Sequence, residues 1–236
     1  MSILTPRDSA ILSSLFTSDP PAPASLPPPP PPPGLPSFPP PLLQSIQTLE
    51  SSALKPLNTA SPPSSAITTA IEELTSLIEA HPSYPSAYNN RAQALRLLHG
   101  SDLTVAEAGE SGMMADLAEA IRLCTPTTTG LQADILAKAY TQRGAILLLT
   151  STTMRTQETN GSKDGGAVQA LVLGGKSADE VEEMARADFR EGKRWGGEVA
   201  GEMDVKMNPV RKLCGKIVRE AMVRDLRESG VLPAED

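Results

Sequence analysis

Two segments of the chain share one side-chain frame, Ala-Tyr-x-x-Arg-small, and this repetition restricts the possible folds more than any other feature. The segments are SAYNNRAQALRL, residues 86–97, and KAYTQRGAILLL, residues 138–149. In each, the tyrosine is followed by a small residue at i+4 and a leucine at i+7, which places all three on one helix face. A small residue between two large ones lets a second helix approach closely. The pattern therefore predicts repeated helical hairpins that stack on one another.

The first part of the chain is dominated by proline. Fourteen of the 23 prolines lie between residues 20 and 41, including the unbroken run 27–33. Proline lacks the backbone N–H that helices and sheet interiors need, so this segment is expected to be extended and solvated. We therefore predict a disordered proline-rich segment over residues 1–41 and a folded domain over residues 42–232.

Hydrophobic spacing and helix-ending residues predict seven helices in the folded domain. They cover residues 42–54, 65–80, 83–99, 113–124, 133–150, 177–195 and 208–228, with loops at 100–112 and 151–176. Ser177 and Glu180 have the spacing of a capping box at the start of the sixth. The predicted fold is all-α: three hairpins (42–82, 83–125 and 131–195) form a right-handed solenoid, which the helix 208–228 caps.

Composition excludes several classes of function. The net charge of −7 disfavours binding to nucleic acid or to an anionic membrane surface. No apolar stretch approaches the ~20 residues of a membrane span. The N-terminus lacks the basic flank and long apolar centre of a signal peptide, so a cytoplasmic location is expected. Cys124 and Cys214 each lie in an apolar helical stripe, which predicts buried free thiols.

Residues suited to catalysis or metal binding are few. His81 and His99 stand at predicted helix ends, and neither has a ligand-spaced cysteine or histidine nearby. The sequence GGKSAD, residues 174–179, ends in Gly-Lys-Ser but lacks the first glycine of a phosphate-binding loop. We accordingly expect a protein that is not an enzyme and has no cofactor and no metal.

Five blocks of sequence together resemble a known family. SAYNNRAQALRL, MADLAEAIRL, YTQRGAI, ARADFREG and MNPVRKLCGKIV follow one another in this order. The pattern resembles the tetratricopeptide repeat, and more closely the tetratricopeptide repeat protein 36 family, over about residues 65–226 apart from the two loop insertions. The proline run and both insertions depart from that family. The resemblance implies a non-enzymatic adaptor linked to the 70-kDa heat-shock chaperone and to tyrosine catabolism.

The resemblance also implies a site, because the first helices of such repeats line a concave groove. The groove-facing positions are Ser86, Asn89, Asn90, Gln93, Lys138, Thr141 and Gln142. Asn90 and Lys138 match two of the five residues with which related repeats clamp the terminal carboxylate of a chaperone, while Gln142 replaces the clamp arginine. Three interpretations remain open: a carboxylate clamp, a groove for another peptide, or asparagines that only bridge helices.

Other conspicuous side chains have structural interpretations. Arg91 and Arg143 are equivalent in the two frames, and each is expected to pack its stem and pair its head with an acid such as Asp116 or Asp188. The aromatic residues of the repeats are expected in the core: Tyr88, Tyr140, Phe189 and Trp195.

The proline run offers an alternative function. Seven consecutive prolines form a preordered helix that the aromatic groove of an SH3-type or profilin-type domain can bind. The chain could then be a proline-rich scaffold whose main ligand reads residues 27–33, or the run could be a spacer.

Overall fold

The computed structural model describes residues 34–127, 129–160, 173–208 and 222–223. The chain divides after Pro31, and all described residues belong to the second unit, Pro32–Asp236. This part of the chain is all-α, as predicted, and contains no β-strand. The helices are α1 (Pro40–Leu54, with a 3₁₀ turn at Lys55–Leu57), α2 (Ser64–Ala80), α3 (Pro85–His99), α4 (Ala106–Glu110), α5 (Met113–Leu123), α6 (Gly130–Asn160), α7 (Ala178–Arg194) and α8 (Glu198–Lys206).

Apart from the short α4, helices that follow one another in the chain also pack against one another. Contacts join α1 to α2, α2 to α3, α3 to α5, α5 to α6, α6 to α7 and α7 to α8. In addition α3 contacts α6, so the two helices that carry the Ala-Tyr-x-x-Arg frame are neighbours. None of the described helices combines the length and the apolar character that crossing a membrane would require.

Small residues permit the close packing that the repeated frame predicts. Ala92 is fully buried between its neighbours. A Cβ atom on Gly144 would lie 3.2 Å from the Ala185 carbonyl oxygen and 3.2 Å from ring carbons of Phe189. The contact between α6 and α7, the most extensive in the described part of the chain, therefore depends on the absence of a side chain at residue 144.

The capping box at the start of α7 is confirmed. The Ser177 hydroxyl accepts a hydrogen bond from the Glu180 backbone N–H at 3.3 Å. The Glu180 carboxylate accepts one from the Ser177 backbone N–H at 2.8 Å. Two N–H groups that the first turn leaves without helical partners are thus satisfied.

The folded domain begins earlier than residue 42. The first helix starts at Pro40, because proline is tolerated at the first positions of a helix. Leu35 and Phe38, placed by the sequence prediction in the disordered segment, are buried in one core cluster with Tyr84. The Phe38 ring meets the Tyr84 ring edge-on at 5.8 Å. The high proline content of residues 34–41 led to a prediction of disorder, although Leu35 and Phe38 pack in the core.

Both predicted loop insertions contain helix. The first, residues 100–112, includes α4, and its Leu103 and Ala108 are fully buried. The second was predicted to begin at residue 151, but α6 continues to Asn160. Here the polar sequence STTMRTQETN has four threonines and no apolar stripe, yet Ser151 and Met154 are buried against the rest of the fold, so tertiary packing supports the helix.

The helix α8 was not predicted. Gly196 and Gly197 correctly indicate the end of α7, but α8 starts directly after them with Gly197 as its N-cap. Several predicted features lie outside the described residues: the segment 1–33 with its proline run, the part of the second insertion at 161–172, Cys214, and the capping helix except for residues 208, 222 and 223. Asn208, its predicted first residue, is not helical.

Candidate functional site

Two equivalent Arg–Asp pairs hold the helices that frame the site. Arg91 on α3 donates to both carboxylate oxygens of Asp116 on α5, at 2.8 and 2.7 Å. Arg143 on α6 donates to both oxygens of Asp188 on α7, at 2.7 and 2.6 Å. Both aspartates are buried, which makes these bidentate pairs strong and geometrically specific. The predicted pairing of the two arginines is confirmed.

Each of these arginines also lies against the tyrosine of its own frame. The Arg91 guanidinium is 5.9 Å from the ring centre of Tyr88, and that of Arg143 is 5.4 Å from the ring centre of Tyr140. The hydrogen bonds to the aspartates raise the pKa of both arginines. The repeated sequence frame is therefore a repeated structural unit of tyrosine, arginine and aspartate that couples a hairpin's two helices.

Helices α3 and α6 line a groove of about 840 Å³, which the turn between α7 and α8 completes. Six of the seven predicted groove residues line it: Asn89, Asn90, Gln93, Lys138, Thr141 and Gln142. Ser86 does not line it, and its hydroxyl accepts a 3.4 Å hydrogen bond from the Asn90 amide. The helical spacing on two neighbouring helices thus brings the predicted residues together.

Sequence reasoning missed one side of the groove. Residues Trp195 to Val199 line it together with Arg96. Trp195 was expected in the core, but its ring is only half-buried, and the Arg194 guanidinium lies 5.5 Å from its centre. Val199 is 61% exposed, so this side of the groove presents apolar surface to solvent. Gly196 and Gly197 were the sequence feature that could have predicted this side. A turn without side chains can approach α6 closely, and it brings Trp195 and Val199 to the groove.

A chain of side-chain amides crosses the groove from α6 to α1. The Gln142 amide nitrogen donates to Asn89 Oδ1 at 3.0 Å. The Asn89 amide donates to Asn90 Oδ1 at 3.3 Å, and the Asn90 amide donates to Glu50 Oε1 at 2.8 Å. The asparagines therefore do bridge helices, as one of the three interpretations proposes, while still lining the groove.

The chain of amides ends at a buried carboxylate. Glu50 is 8% exposed, and its second oxygen accepts a 2.7 Å hydrogen bond from the hydroxyl of Tyr84. Burial and the neighbouring Glu50 carboxylate raise the pKa of Tyr84, so its hydroxyl keeps its proton and donates. Glu50 thus receives two donors and anchors α1 to α3.

The residues that match a carboxylate clamp are engaged within the protein. Asn90 donates to Glu50, and the Lys138 ammonium pairs with Asp134 at 2.7 Å on the same helix. Thr141 donates to the carbonyl oxygen of Ala137. A terminal carboxylate would have to compete with the buried Glu50 for Asn90, whereas the pair of Lys138 with Asp134 is exposed and weak.

Two buried side-chain atoms in the described part of the chain have no hydrogen-bond partner. They are Nε of Arg96 and Oε1 of Gln142. Both residues line the groove. Buried polar groups are almost always paired in folded proteins, so a turn of either side chain towards a bound molecule that supplies the missing partner would be favourable.

The thiol of Cys124 is free and fully buried, as predicted. Burial raises its pKa to about 12. A thiol of this kind is a small apolar core group rather than a nucleophile. Within residues 34–127, 129–160, 173–208 and 222–223, no three histidine, cysteine or acidic side chains are grouped so that they could hold a metal ion.

Comparisons with known proteins give two relatives. No family model matches the chain, and no solved structure matches it. Tetratricopeptide repeat protein 36 from Xenopus tropicalis is 29% identical over 187 residues, which is 79% of this chain and 68% of that protein. The resemblance inferred from the sequence blocks is therefore a real but partial similarity.

The second relative matches nearly the full length of both chains. L-tyrosine degradation gene cluster protein hmgX from Aspergillus fumigatus is 35% identical over an alignment of 246 residues, covering 94% of this chain and 93% of that protein. The alignment includes the regions in which the chain departs from tetratricopeptide repeat protein 36. The chain belongs to the family of L-tyrosine degradation gene cluster protein hmgX.

Proposed function

We propose that the protein is a non-enzymatic adaptor of L-tyrosine degradation that binds an extended segment of a partner protein in the groove between α3 and α6. The groove itself is the observation that carries the proposal. The amide chain holds Asn89, Asn90 and Gln142 at fixed positions, and the apolar side of the groove is exposed, a combination suited to a peptide backbone with alternating side chains. The names of both relatives support it, one through L-tyrosine degradation and the other through its repeats.

The fold that goes with this function is a solenoid of three tetratricopeptide-type hairpins, α1–α2, α3–α5 and α6–α7. Contacts between successive helices support it, as does the repetition of the Tyr-Arg-Asp unit in the second and third hairpins. In such an array the first helices of neighbouring hairpins lie side by side and form an extended binding surface. The contact between α3 and α6 agrees with that arrangement.

The 70-kDa heat-shock chaperone remains a candidate partner from the sequence resemblance. The engagement of Asn90 with the buried Glu50 favours an internal segment of a partner over the terminal carboxylate of a chaperone. A peptide with the chaperone's C-terminal sequence therefore belongs in the binding test, and we expect it to bind less tightly than the adaptor's main partner.

The test is direct binding between the purified full chain and a panel of purified enzymes of L-tyrosine degradation, measured by biolayer interferometry. Gln93→Arg places a long side chain over the groove from an exposed lining position. Thr152→Arg is the matched control, because it adds the same group to an exposed position of α6 that does not line the groove. We expect at least one enzyme to bind, and Gln93→Arg to weaken it about tenfold, a cost of about 1.4 kcal/mol.

Either of two results would oppose this function. One is that no enzyme of the panel binds the wild-type chain. The other is that an enzyme binds both variants equally well, which would move the interaction to another surface.

The proline-rich scaffold is tested with the same assay. Deletion of residues 20–33 removes the run but keeps Leu35 and Phe38, which the core needs. Enzyme binding should survive this deletion if the groove is the binding site. Loss of binding on deletion, with full binding by Gln93→Arg, would favour a ligand that reads residues 27–33.

A further inference from the structure

The two unpartnered atoms in the groove have opposite hydrogen-bonding character. Arg96 Nε is a donor and Gln142 Oε1 is an acceptor. An extended peptide presents both an N–H and a C=O group at every non-proline residue, and its side chains add further groups. The pair of atoms therefore matches a peptide better than it matches an apolar ligand.

The acceptor character of Gln142 follows from the chain of amides. The Glu50 carboxylate accepts from Asn90 and from Tyr84, so the Asn90 nitrogen must face Glu50. The Asn90 oxygen then faces Asn89 and accepts from its nitrogen. The Asn89 oxygen in turn faces Gln142 and accepts from its nitrogen, which leaves the Gln142 oxygen as the buried free atom. A carboxylate on α1 thus determines that the groove offers an acceptor on α6.

Arg96 is unusual among the arginines of the described hairpins. Arg91 and Arg143 each make two hydrogen bonds to a buried aspartate. The Arg96 side chain has no hydrogen bond or ion pair with any described residue, although its Nε is buried. Leaving a buried guanidinium N–H unpaired is costly, and a carboxylate from a ligand is the group whose geometry suits it best.

The distance along α3 between Asn89, which binds Gln142, and Arg96 fits an extended peptide. Gln142 bonds to Asn89, and Arg96 lies seven residues further along α3, a rise of about 10 Å. An extended peptide covers that distance in about three residues. The half-buried Trp195 and the exposed Val199 line the same groove and supply apolar surface for a ligand side chain.

We propose that the groove recognises an internal, extended and acidic segment of its partner. Gln142 Oε1 accepts a hydrogen bond from a backbone N–H of the segment, and the Arg96 guanidinium pairs with an aspartate or glutamate side chain about three residues away. An apolar side chain of the segment packs on Trp195 and Val199. This inference rests on the proposed binding function, because it names the ligand of the same groove.

The test begins with a random heptapeptide library that has constant Gly-Ser flanks on both sides, so that no chain terminus takes part. The full-length protein selects from the library, and the best peptide is measured by fluorescence polarisation. We expect the selected peptides to share one acidic position. Changing that residue to its amide should weaken binding to the wild-type protein about tenfold, as expected for a charge-assisted hydrogen bond.

Two variants assign the contacts. With Arg96→Gln the acidic peptide and its amide form should bind within about twofold of each other, whereas Thr152→Arg should keep the wild-type preference. N-methylation scanned along the peptide backbone should reveal one position, about three residues from the acid, where methylation weakens binding to the wild type but not to Gln142→Ala. Circular dichroism melting checks that each variant is folded.

The inference is overturned if selection yields no shared acidic position, if Arg96→Gln keeps the preference for the acid, or if binding requires a free C-terminal carboxylate. These results leave the proposed function intact as long as Gln93→Arg still weakens enzyme binding. Loss of the proposed function would instead appear as equal enzyme binding by Gln93→Arg and Thr152→Arg.

Discussion

At the scale of single residues, the sequence frame Ala-Tyr-x-x-Arg specifies a role for each member. The arginine pairs with an aspartate of the following helix, and the tyrosine ring lies against the arginine. The pair matters for stability because the aspartate is buried, and a buried carboxylate without a partner strongly lowers the free energy of unfolding. The pairing of both arginines could therefore be predicted from the sequence. In each copy of the frame the arginine lies beside a tyrosine and a buried aspartate.

Removing Arg143 should destabilise the protein more than removing an arginine from a surface pair. Arg143→Ala leaves Asp188 buried without its partner, and we expect the free energy of unfolding to fall by about 3 kcal/mol. Arg122→Ala breaks the exposed pair with Glu119 and should produce no measurable change. Urea unfolding followed by circular dichroism compares the two. Equal effects would contradict the structural role of the buried pair.

The buried thiol of Cys124 should make stability depend on pH in the alkaline range. Burial raises its pKa from 9.0 to about 12, so above pH 9 the unfolded chain loses this proton before the folded chain does. Stability is therefore fully present below pH 9 and declines as pH rises towards 12. Between pH 8 and pH 10 we expect a loss of about 1.4 kcal/mol in urea unfolding. Cys124→Ala should lose less over the same interval, and an identical slope would contradict this assignment.

At the scale of helices, close packing depends on where small residues fall. Gly144 lies where α6 meets α7, whereas Gly201 lies in α8 with its nearest possible contact at 3.6 Å, an ordinary van der Waals distance. Both are glycines inside helices, where alanine would normally be preferred. The space around each glycine, rather than helix propensity, therefore decides whether alanine raises or lowers the free energy of unfolding.

The two glycines form a matched pair of predictions. Gly144→Ala should lower the free energy of unfolding by about 1–3 kcal/mol, because its methyl group meets the Ala185 carbonyl and the Phe189 ring at 3.2 Å. Gly201→Ala should raise it by about 0.5–1 kcal/mol through helix propensity. Thermal unfolding of both variants decides the matter. A stabilised Gly144→Ala would show that α6 and α7 are less tightly packed than described.

Sequence patterns predicted helices well where apolar spacing was regular and poorly where packing came from isolated residues. The capping box of Ser177 and the stripe of α2 gave correct elements. Leu35 and Phe38 were missed because they stand alone among prolines, and α4 because its five residues include a single buried side chain, that of Ala108. The continuation of α6 to Asn160 depends on tertiary contacts of Ser151 and Met154, which no local pattern reveals.

At the scale of the whole molecule, the groove is the feature in which these elements combine. Six predicted residues came together because helical spacing on two equivalent helices places them on one surface. Trp195 was missed because its place in the groove depends on the turn into α8, a helix that was not predicted. No sequence pattern distinguished Arg96 as a groove residue. The sequence also did not indicate that the chain of amides ends at Glu50, since forty residues separate Glu50 from Asn90, to which it is hydrogen-bonded.

The chain of amides should be necessary for the groove as a unit. Glu50→Leu removes the acceptor for both Asn90 and Tyr84, and we expect partner binding to fall about tenfold or more. Glu50→Gln keeps the size of the side chain but can donate as well as accept, so it should weaken partner binding less than Glu50→Leu. Biolayer interferometry with the enzyme that binds the wild type measures both. Unchanged partner binding by Glu50→Leu would show that binding does not depend on the chain of amides.

Photo-cross-linking from inside the groove tests the central claim most directly. A photoreactive phenylalanine analogue replaces Gln93 in one sample and Thr152 in another, and each is irradiated with the purified enzyme that binds. We predict a covalent adduct from residue 93, mapped by mass spectrometry to one extended acidic segment of the enzyme, and none from residue 152. Adducts from residue 152 alone, or from both positions equally, would show that the partner does not occupy the groove.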